Sequence, residues 1–179
     1  DGAGAPARVH ARTRPGSRVL IVGSGNSGTL AAVAAADAGA AEVLVADVDP
    51  ERLRRVAVLG LPKLRTVQAD ATDAVDFAMR VGAAADLSAS CVDVPGVEAA
   101  CVLATSVDGH ILFFSMATDF ARAALAAEGV GSSATLEIGN GYYPGHAQYA
   151  AGLLRAHPAL WPLLAPAAAA ATGAAWPPT

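Results

Sequence analysis

Short apolar runs alternate with segments of helical length along most of the chain. Six runs are predicted to be strands, at 18–22, 42–47, 65–69, 86–92, 110–115 and 134–138. Six helices are predicted to follow them, near 27–38, 50–59, 73–81, 95–104, 121–128 and 145–155. Strands that alternate with helices in this way form a parallel sheet with right-handed helical crossovers.

The strand segments are apolar without strict alternation, which is typical of strands that are buried on both faces of a parallel sheet. The predicted fold class is therefore α/β: a Rossmann-type doubly wound parallel sheet of about six strands, with helices on both faces. Asp49 and Pro50 support the prediction of the second helix, because Asp is favoured as an N-cap and Pro at the first helical position.

The chain has 179 residues, which suits one domain. Residues 1–17 are rich in Gly, Ala, Pro and Arg without periodicity, so they are expected to be a linker or tail. Residues 18–164 are expected to form a NAD-binding Rossmann domain. The alanine-rich segment 165–179 is expected to be a low-complexity tail.

Composition excludes several partners. The formal charge of −4 gives no general attraction for nucleic acid, and no apolar run approaches the ~18 residues of a membrane span. Five basic or potentially basic residues lie near the start of the chain: Arg8, His10, Arg12, Arg14 and Arg18. A solvated leader explains them best, and a polyanion-binding arm is the alternative.

Cys91 and Cys101 are expected to be reduced core thiols of a cytoplasmic protein, and no metal site is expected.

A glycine-rich turn connects the first strand to the first helix. It reads Gly23-Ser24-Gly25-Asn26-Ser27-Gly28, and its position between a strand and a helix makes the pattern informative. Gly23 permits a tight turn, Gly25 lets a pyrophosphate approach the backbone, and Gly28 lets the helix lie close to the strand. All six residues are predicted to bind a dinucleotide at the helix N-terminus.

Asp47 ends the second predicted strand. A carboxylate at this point accepts hydrogen bonds from the adenosine ribose and repels a 2′-phosphate, which favours NAD over NADP. Three arginines nearby could favour NADP instead, although a solvated helix face explains them better: Arg52, Arg54 and Arg55.

Other cofactor contacts are expected where strands three to six end, since ligands bind beyond the carboxyl ends of parallel strands. Asp70 is expected to border the adenine, with a loop or capping role as the alternative. The remaining predicted cofactor-binding residues are Cys91, Val92, Asp93, Ser115, Met116, Ala117 and Asn140.

The catalytic proton-transfer residue is not determined by the sequence. Glu98 and His146 are candidates, although a helix N-terminus favours the carboxylate of Glu98 for structural reasons too. A Tyr-x-x-x-Lys pair is excluded because Lys63 is the only lysine. A Ser-His-Asp grouping and a P-loop lysine pattern are also missing.

Several motifs together resemble the L-erythro-3,5-diaminohexanoate dehydrogenases. Besides the glycine turn, they are CVDVPG at 91–96, FFSMAT at 113–118, AEGVG at 127–131, IGNGY at 138–142 and PGHA at 144–147. The resemblance implies a medium-chain dehydrogenase architecture and NAD-dependent oxidative deamination of the 3-amino group. The implied products are 5-amino-3-oxohexanoate, ammonia and NADH.

The resemblance also implies that an N-terminal substrate domain is absent from these residues. A longer chain or a partner would supply that domain, or the chain would act as a homo-oligomer on its small-molecule substrate. Asp93 stands where the family often has asparagine. Two alternatives stay open: a non-catalytic dinucleotide-binding subunit or sensor, and a medium-chain-type dehydrogenase for another small amine or alcohol.

Overall fold

Six parallel strands form one sheet in the part of the chain that the structure describes. The structure is a computed structural model and describes residues 2–139 and 141–164. The strands are β1 (Arg18–Val22), β2 (Glu42–Asp47), β3 (Leu64–Gln68), β4 (Ala85–Ser90), β5 (Thr105–Phe113) and β6 (Thr135–Ile138). Their order across the sheet is β3-β2-β1-β4-β5-β6, with every neighbouring pair parallel.

Among the described residues, seven α-helices and a short 3-10 helix precede, connect or follow these strands. The α-helices are α1 (Gly4–Arg12), α2 (Asn26–Asp37), α3 (Pro50–Ala57), α4 (Ala74–Val81), α5 (Glu98–Leu103), α6 (Phe120–Gly129) and α7 (His146–Ala156). The 3-10 helix spans Pro158–Leu160. No helix among the described residues is long and apolar enough to cross a membrane.

The sheet is covered on both faces, as the apolar runs predict. Successive strand residues point to opposite faces, so Leu20 belongs to one core and Ile21 to the other. Helices α4, α5 and α6 cover the face that contains Leu20, and α1, α2 and α3 cover the face that contains Ile21. The doubly wound Rossmann-type fold is therefore confirmed.

The order of the strands reverses between β1 and β4. The chain runs outward from β1 through β2 to β3, then returns to place β4 on the other side of β1. In sheets of this kind the reversal opens a crevice beyond the carboxyl ends of the strands, and ligands bind in it. The crevice lies next to the glycine turn, because that turn follows β1 directly.

The linker predicted for residues 1–17 is wrong over Gly4–Arg12, where the chain forms α1. Ala5 and Val9 are fully buried, and α1 lies against α2. A nine-residue helix would be marginal alone, so its stability comes from this contact with the alanine-rich α2. The tail predicted for 165–179 lies outside the described residues.

Candidate dinucleotide-binding site

Gly23 begins the turn that leaves β1. Its φ is +95°, a left-handed backbone conformation that favours glycine. A Cβ at this position would lie 2.4 Å from Val92 Cγ1, and the Gly23 N–H donates to the Ala46 carbonyl at 2.7 Å. The tight turn therefore requires glycine both for its conformation and for its contact with the segment after β4.

Gly28 and Gly25 have opposite surroundings. A Cβ at Gly28 would lie 1.8 Å from the Gly23 carbonyl oxygen, so α2 approaches the turn as closely as its backbone allows. Gly25 is the N-cap of α2 and has no heavy atom within 4 Å of its Cβ position. This open space, in front of the amides that begin α2, fits the approach of a pyrophosphate.

Asp47 is fixed at the end of β2 by hydrogen bonds to both carboxylate oxygens. The amide and the hydroxyl of Ser24 each donate to Oδ2 at 2.7 Å, and the Asp49 amide donates to Oδ1 at 2.9 Å. Burial opposes ionisation of Asp47, but the hydrogen bonds from Asp49 and Ser24, with the nearby charge of Arg52, outweigh burial and lower its pKa. Asp47 is therefore an anion held beside the glycine turn.

Ser24, one of the six turn residues predicted to bind the dinucleotide, also holds Asp47, a role that the glycine pattern alone does not identify. The residue is 6% exposed, and its hydroxyl points toward Asp47. The sequence signal is a hydroxyl residue between the first two glycines with an acid at the end of the next strand. The turn and the carboxylate are thus one hydrogen-bonded unit.

Asp70 follows β3, where the sequence places it. It lies on a small cavity of about 60 Å³ between the ends of β1, β2, β3 and β4, with mostly apolar neighbours such as Ala46, Ala69 and Val97. Hydrogen bonds from the Thr72 amide and hydroxyl lower the pKa of Asp70. The cavity has the position expected for an adenine, and the contact of Asp70 with adenine stays a prediction.

Two of the three arginines in α3 face the glycine turn. Arg52 and Arg55 line a cavity of about 350 Å³ that also contains Ser24, Gly25 and Asn26. Their three-residue spacing places them on the same side of α3. All three arginine side chains are exposed, and Glu51 pairs with both Arg54 and Arg55. A solvated face therefore describes all three, and Arg52 and Arg55 also border the site.

The loops after β4, β5 and β6 converge on one cavity of about 600 Å³, here named the β4–β6 cavity. Its lining residues include Ser27, Cys91, Val92, Asp93, Ser115 and Met116, all predicted to bind the cofactor. Ala117 is held nearby, since its N–H donates to Ser115 Oγ at 3.0 Å. Asn140 lies outside the described residues. The structure brings most of the predicted contacts together, and their role in cofactor binding stays a prediction.

The polar groups of the β4–β6 cavity are loosely held. The Ser115 hydroxyl donates to Asp93 Oδ1 at 3.1 Å, and the Asp93 side chain is exposed. Met116 is fully exposed. Cys91 is half-buried, and desolvation raises the pKa of its thiol to about 12, which favours the protonated thiol at neutral pH.

Both candidate catalytic residues have structural partners. Glu98 is 1% exposed, and its Oε1 accepts a hydrogen bond from the Asp119 amide at 2.8 Å. His146 Nδ1 lies 2.8 Å from the Tyr143 carbonyl, and its ring contacts Tyr142 at a centroid distance of 5.4 Å. A catalytic role for either residue stays a prediction. Among the described residues, no group of His, Cys, Asp or Glu could hold a metal ion.

The strand order, the glycine turn and the carboxylate at the end of β2 define a dinucleotide-binding domain of the Rossmann type. Residues 8–109 match the family model described as "Alanine dehydrogenase/PNT, C-terminal domain", and the chain belongs to this family. The matched residues contain β1 to β4 and therefore both strands between which the order reverses.

Two curated relatives confirm the resemblance found in the motifs. An L-erythro-3,5-diaminohexanoate dehydrogenase of Fusobacterium nucleatum is 38% identical over 154 residues, covering 82% of this chain and 45% of the relative. The L-erythro-3,5-diaminohexanoate dehydrogenase of Acetoanaerobium sticklandii is 36% identical over 171 residues, covering 87% of this chain and 47% of the relative. The chain thus spans about half the length of these relatives.

The fold also resembles that of solved dehydrogenases. L-Idonate 5-dehydrogenase from Escherichia coli superimposes with a TM-score of 0.67 at 22% identity. The match covers 87% of this chain and 44% of that structure. This similarity supports the fold.

Proposed function

We propose that the chain is the NAD-binding portion of an enzyme that oxidatively deaminates L-erythro-3,5-diaminohexanoate at its 3-amino group. The similarity to two dehydrogenases named for this substrate carries the proposal. The geometry of the glycine turn supports it, because an open backbone at Gly25 in front of α2 suits a bound pyrophosphate.

The reaction transfers two electrons from the amine-bearing carbon. NAD, when bound, would accept a hydride from C3 and become NADH. The amine loses a proton and becomes an imine, and water then replaces its nitrogen to give 5-amino-3-oxohexanoate and ammonia. The described residues would hold the cofactor at the glycine turn and place its reactive end at the β4–β6 cavity.

NAD is preferred over NADP in this proposal because of Asp47. An ionised carboxylate at the end of β2 can accept hydrogen bonds from ribose hydroxyls, and it repels a phosphate at the same place. Arg52 and Arg55 act in the opposite sense, since their positive charges border the turn. The fixed position of Asp47, with three hydrogen-bond donors around it, favours NAD.

The rest of the active site belongs to the same proposal. Glu98 and His146 are retained as the candidates for proton transfer. We also propose that a substrate domain or a second copy of the chain completes the pocket, in a cytoplasmic enzyme. The cysteines fit a reducing compartment, because Cys91 and Cys101 are both free thiols.

Calorimetry with NAD and NADP, followed by an assay for NADH production from 3,5-diaminohexanoate, tests the function. The assay uses this chain alone and with a substrate domain supplied in trans. We expect NAD to bind more tightly and turnover to require the added domain. Tight NAD binding without turnover in either arrangement would contradict the enzyme assignment. Tighter binding of NADP would contradict the role of Asp47.

A further inference from the structure

The N-terminal helix α1 and the segment after β6 meet at the β4–β6 cavity. Gly2, just before α1, and Gly141, just after β6, both line this cavity. A Cβ at Gly2 would lie 2.8 Å from Ser27 Oγ, so the start of the chain is packed on the first turn of α2. The region predicted as a linker therefore forms part of the wall of the site.

Arg8 connects α1 to this segment through its planar guanidinium group. Nη1 donates to Glu137 Oε1 at 2.7 Å, and Nη2 donates to the Tyr142 carbonyl at 3.0 Å. The guanidinium carbon lies 5.4 Å from the centre of the Tyr143 ring. A hydrogen-bonding fork that also stacks on an aromatic ring requires arginine, since lysine offers only a point charge.

The contacts of Arg8 extend from the sheet edge to the start of α7. Glu137 lies on β6, and its carboxylate also receives His110 Nε2 at 2.7 Å. Beyond Tyr142, the Tyr143 carbonyl accepts the His146 amide at 2.9 Å. The side chains of Arg8 and Glu137 are each only 16% exposed, so water competes little for this ion pair.

Arg12 provides a natural comparison on the same helix. Its Nε donates to the other oxygen of Glu137 at 2.7 Å, and its side chain is 41% exposed. No hydrogen bond joins Arg12 to residues 141–143 in the described part of the chain. Removing Arg12 therefore takes the same charge from the same carboxylate and leaves the Tyr142 contact in place.

We propose that Arg8 is a positioning residue that holds the segment 141–143 against α1 at the β4–β6 cavity. The consequence for turnover rests on the proposed function, because that cavity would hold the substrate and the reactive end of the cofactor. The contacts of Arg8 with Glu137, Tyr142 and Tyr143 lie outside the glycine turn. Loss of Arg8 therefore affects the substrate and the reactive end of the cofactor more than it affects the pyrophosphate.

The test compares Arg8→Met with Arg12→Met and Arg8→Lys in the full chain. Backbone hydrogen exchange in 141–146, read at the His146 amide that donates to the Tyr143 carbonyl, should accelerate about 10-fold in Arg8→Met, the order expected for losing a charge-assisted hydrogen bond. It should change less than about 2-fold in Arg12→Met, because exposed ion pairs contribute little. Arg8→Lys should fall between the two.

Binding and turnover provide the second readout. The KM for 3,5-diaminohexanoate should rise about 10-fold in Arg8→Met alone, and the Kd for NADH should rise less than the KM does, because the glycine turn still holds the pyrophosphate. Equal exchange in Arg8→Met and Arg12→Met would overturn the proposal, as would an Arg8→Met chain that exchanges like wild type. If wild type shows no turnover, the proposed function fails, and the exchange comparison still decides the role of Arg8.

Discussion

The two sides of the crevice differ in how firmly their residues are held. Beside β1 and β2, the buried residues Ser24 and Asp47 share two hydrogen bonds, and α2 touches the glycine turn at Gly28. In the loops after β4 and β5, Met116 is fully exposed, and the exposed Asp93 has one 3.1 Å contact with Ser115. One side is formed in advance, and the other is open.

This difference corresponds to what each side would bind. The adenosine and pyrophosphate are the same in every cycle, so rigid recognition there improves affinity by lowering the ordering cost. The open side would contact a substrate and whatever completes the pocket around it. We therefore expect substitutions beside β1 and β2 to affect both folding and cofactor binding, and those in the loops after β4 and β5 to affect folding little.

The largest effect is expected from Gly28→Ala. Its Cβ would lie 1.8 Å from the Gly23 carbonyl oxygen, so α2 must move away from the turn. We expect the free energy of unfolding to fall by about 3 kcal/mol, the upper part of the range for overpacking. NAD binding should be lost as well. Urea denaturation and calorimetry measure the two effects.

Gly25→Ala is the matched control for Gly28→Ala. Gly25 has an ordinary negative φ and open space around its Cβ position, so stability should change by less than about 0.5 kcal/mol. A methyl group there blocks the approach of the pyrophosphate, and NAD affinity should fall about 10- to 100-fold, as for one or two lost hydrogen bonds to a charged group. Unchanged NAD affinity in Gly25→Ala would show that the pyrophosphate binds elsewhere.

The same contrast explains which features the sequence could predict. A continuous apolar run marks a strand that is buried on both faces, so β1 and β2 were predicted with the bounds that the structure has. Helix α1 was missed because its sequence contains Gly, Pro and three polar or charged residues in nine, and its fold depends on a contact with α2. Tertiary contacts of this kind leave no local signal.

The site shows the same limit at the level of single side chains. The glycine spacing and Asp47 were evident because a fixed backbone geometry demands them. Arg8 and Arg52 could not be assigned, since a solvated arginine and one that borders a cavity have the same sequence signature. Their positions depend on how α1 and α3 lie against the sheet.

Asp47→Asn tests the cofactor preference of the preformed side. The variant loses a charged acceptor for the ribose hydroxyls, so NAD should bind about 10-fold more weakly. NADP should bind more tightly, because the repulsion of its 2′-phosphate is removed and Arg52 remains nearby. Calorimetry with both cofactors measures the ratio. Asp70→Asn is the control, and a change in that variant as large as in Asp47→Asn would contradict the assignment.

A pair of serine substitutions compares the two sides directly. Ser24→Ala removes a buried 2.7 Å hydrogen bond to a carboxylate, and we expect it to cost about 1–2 kcal/mol of unfolding free energy. Ser115→Ala removes a 3.1 Å bond to an exposed carboxylate and should cost less than about 0.5 kcal/mol. Urea denaturation at pH 7 separates them. Equal losses would show that the two sides are held equally firmly.

The smallest effect is the pH dependence that Asp47 gives to stability. Its pKa in the folded protein is lowered from 3.8, despite burial, by hydrogen bonds from Asp49 and Ser24. A carboxylate with a lowered pKa stabilises the fold above the unfolded pKa, and this contribution is lost as the pH falls through the folded pKa. Unfolding free energies of wild type should therefore decrease below about pH 4 more steeply than those of Asp47→Asn. Glu137→Gln should flatten the curve of unfolding free energy against pH from a higher pH, because the pKa of Glu137 is lowered from 4.5. Parallel curves for wild type and Asp47→Asn down to about pH 3 would show that Asp47 is not held as an anion.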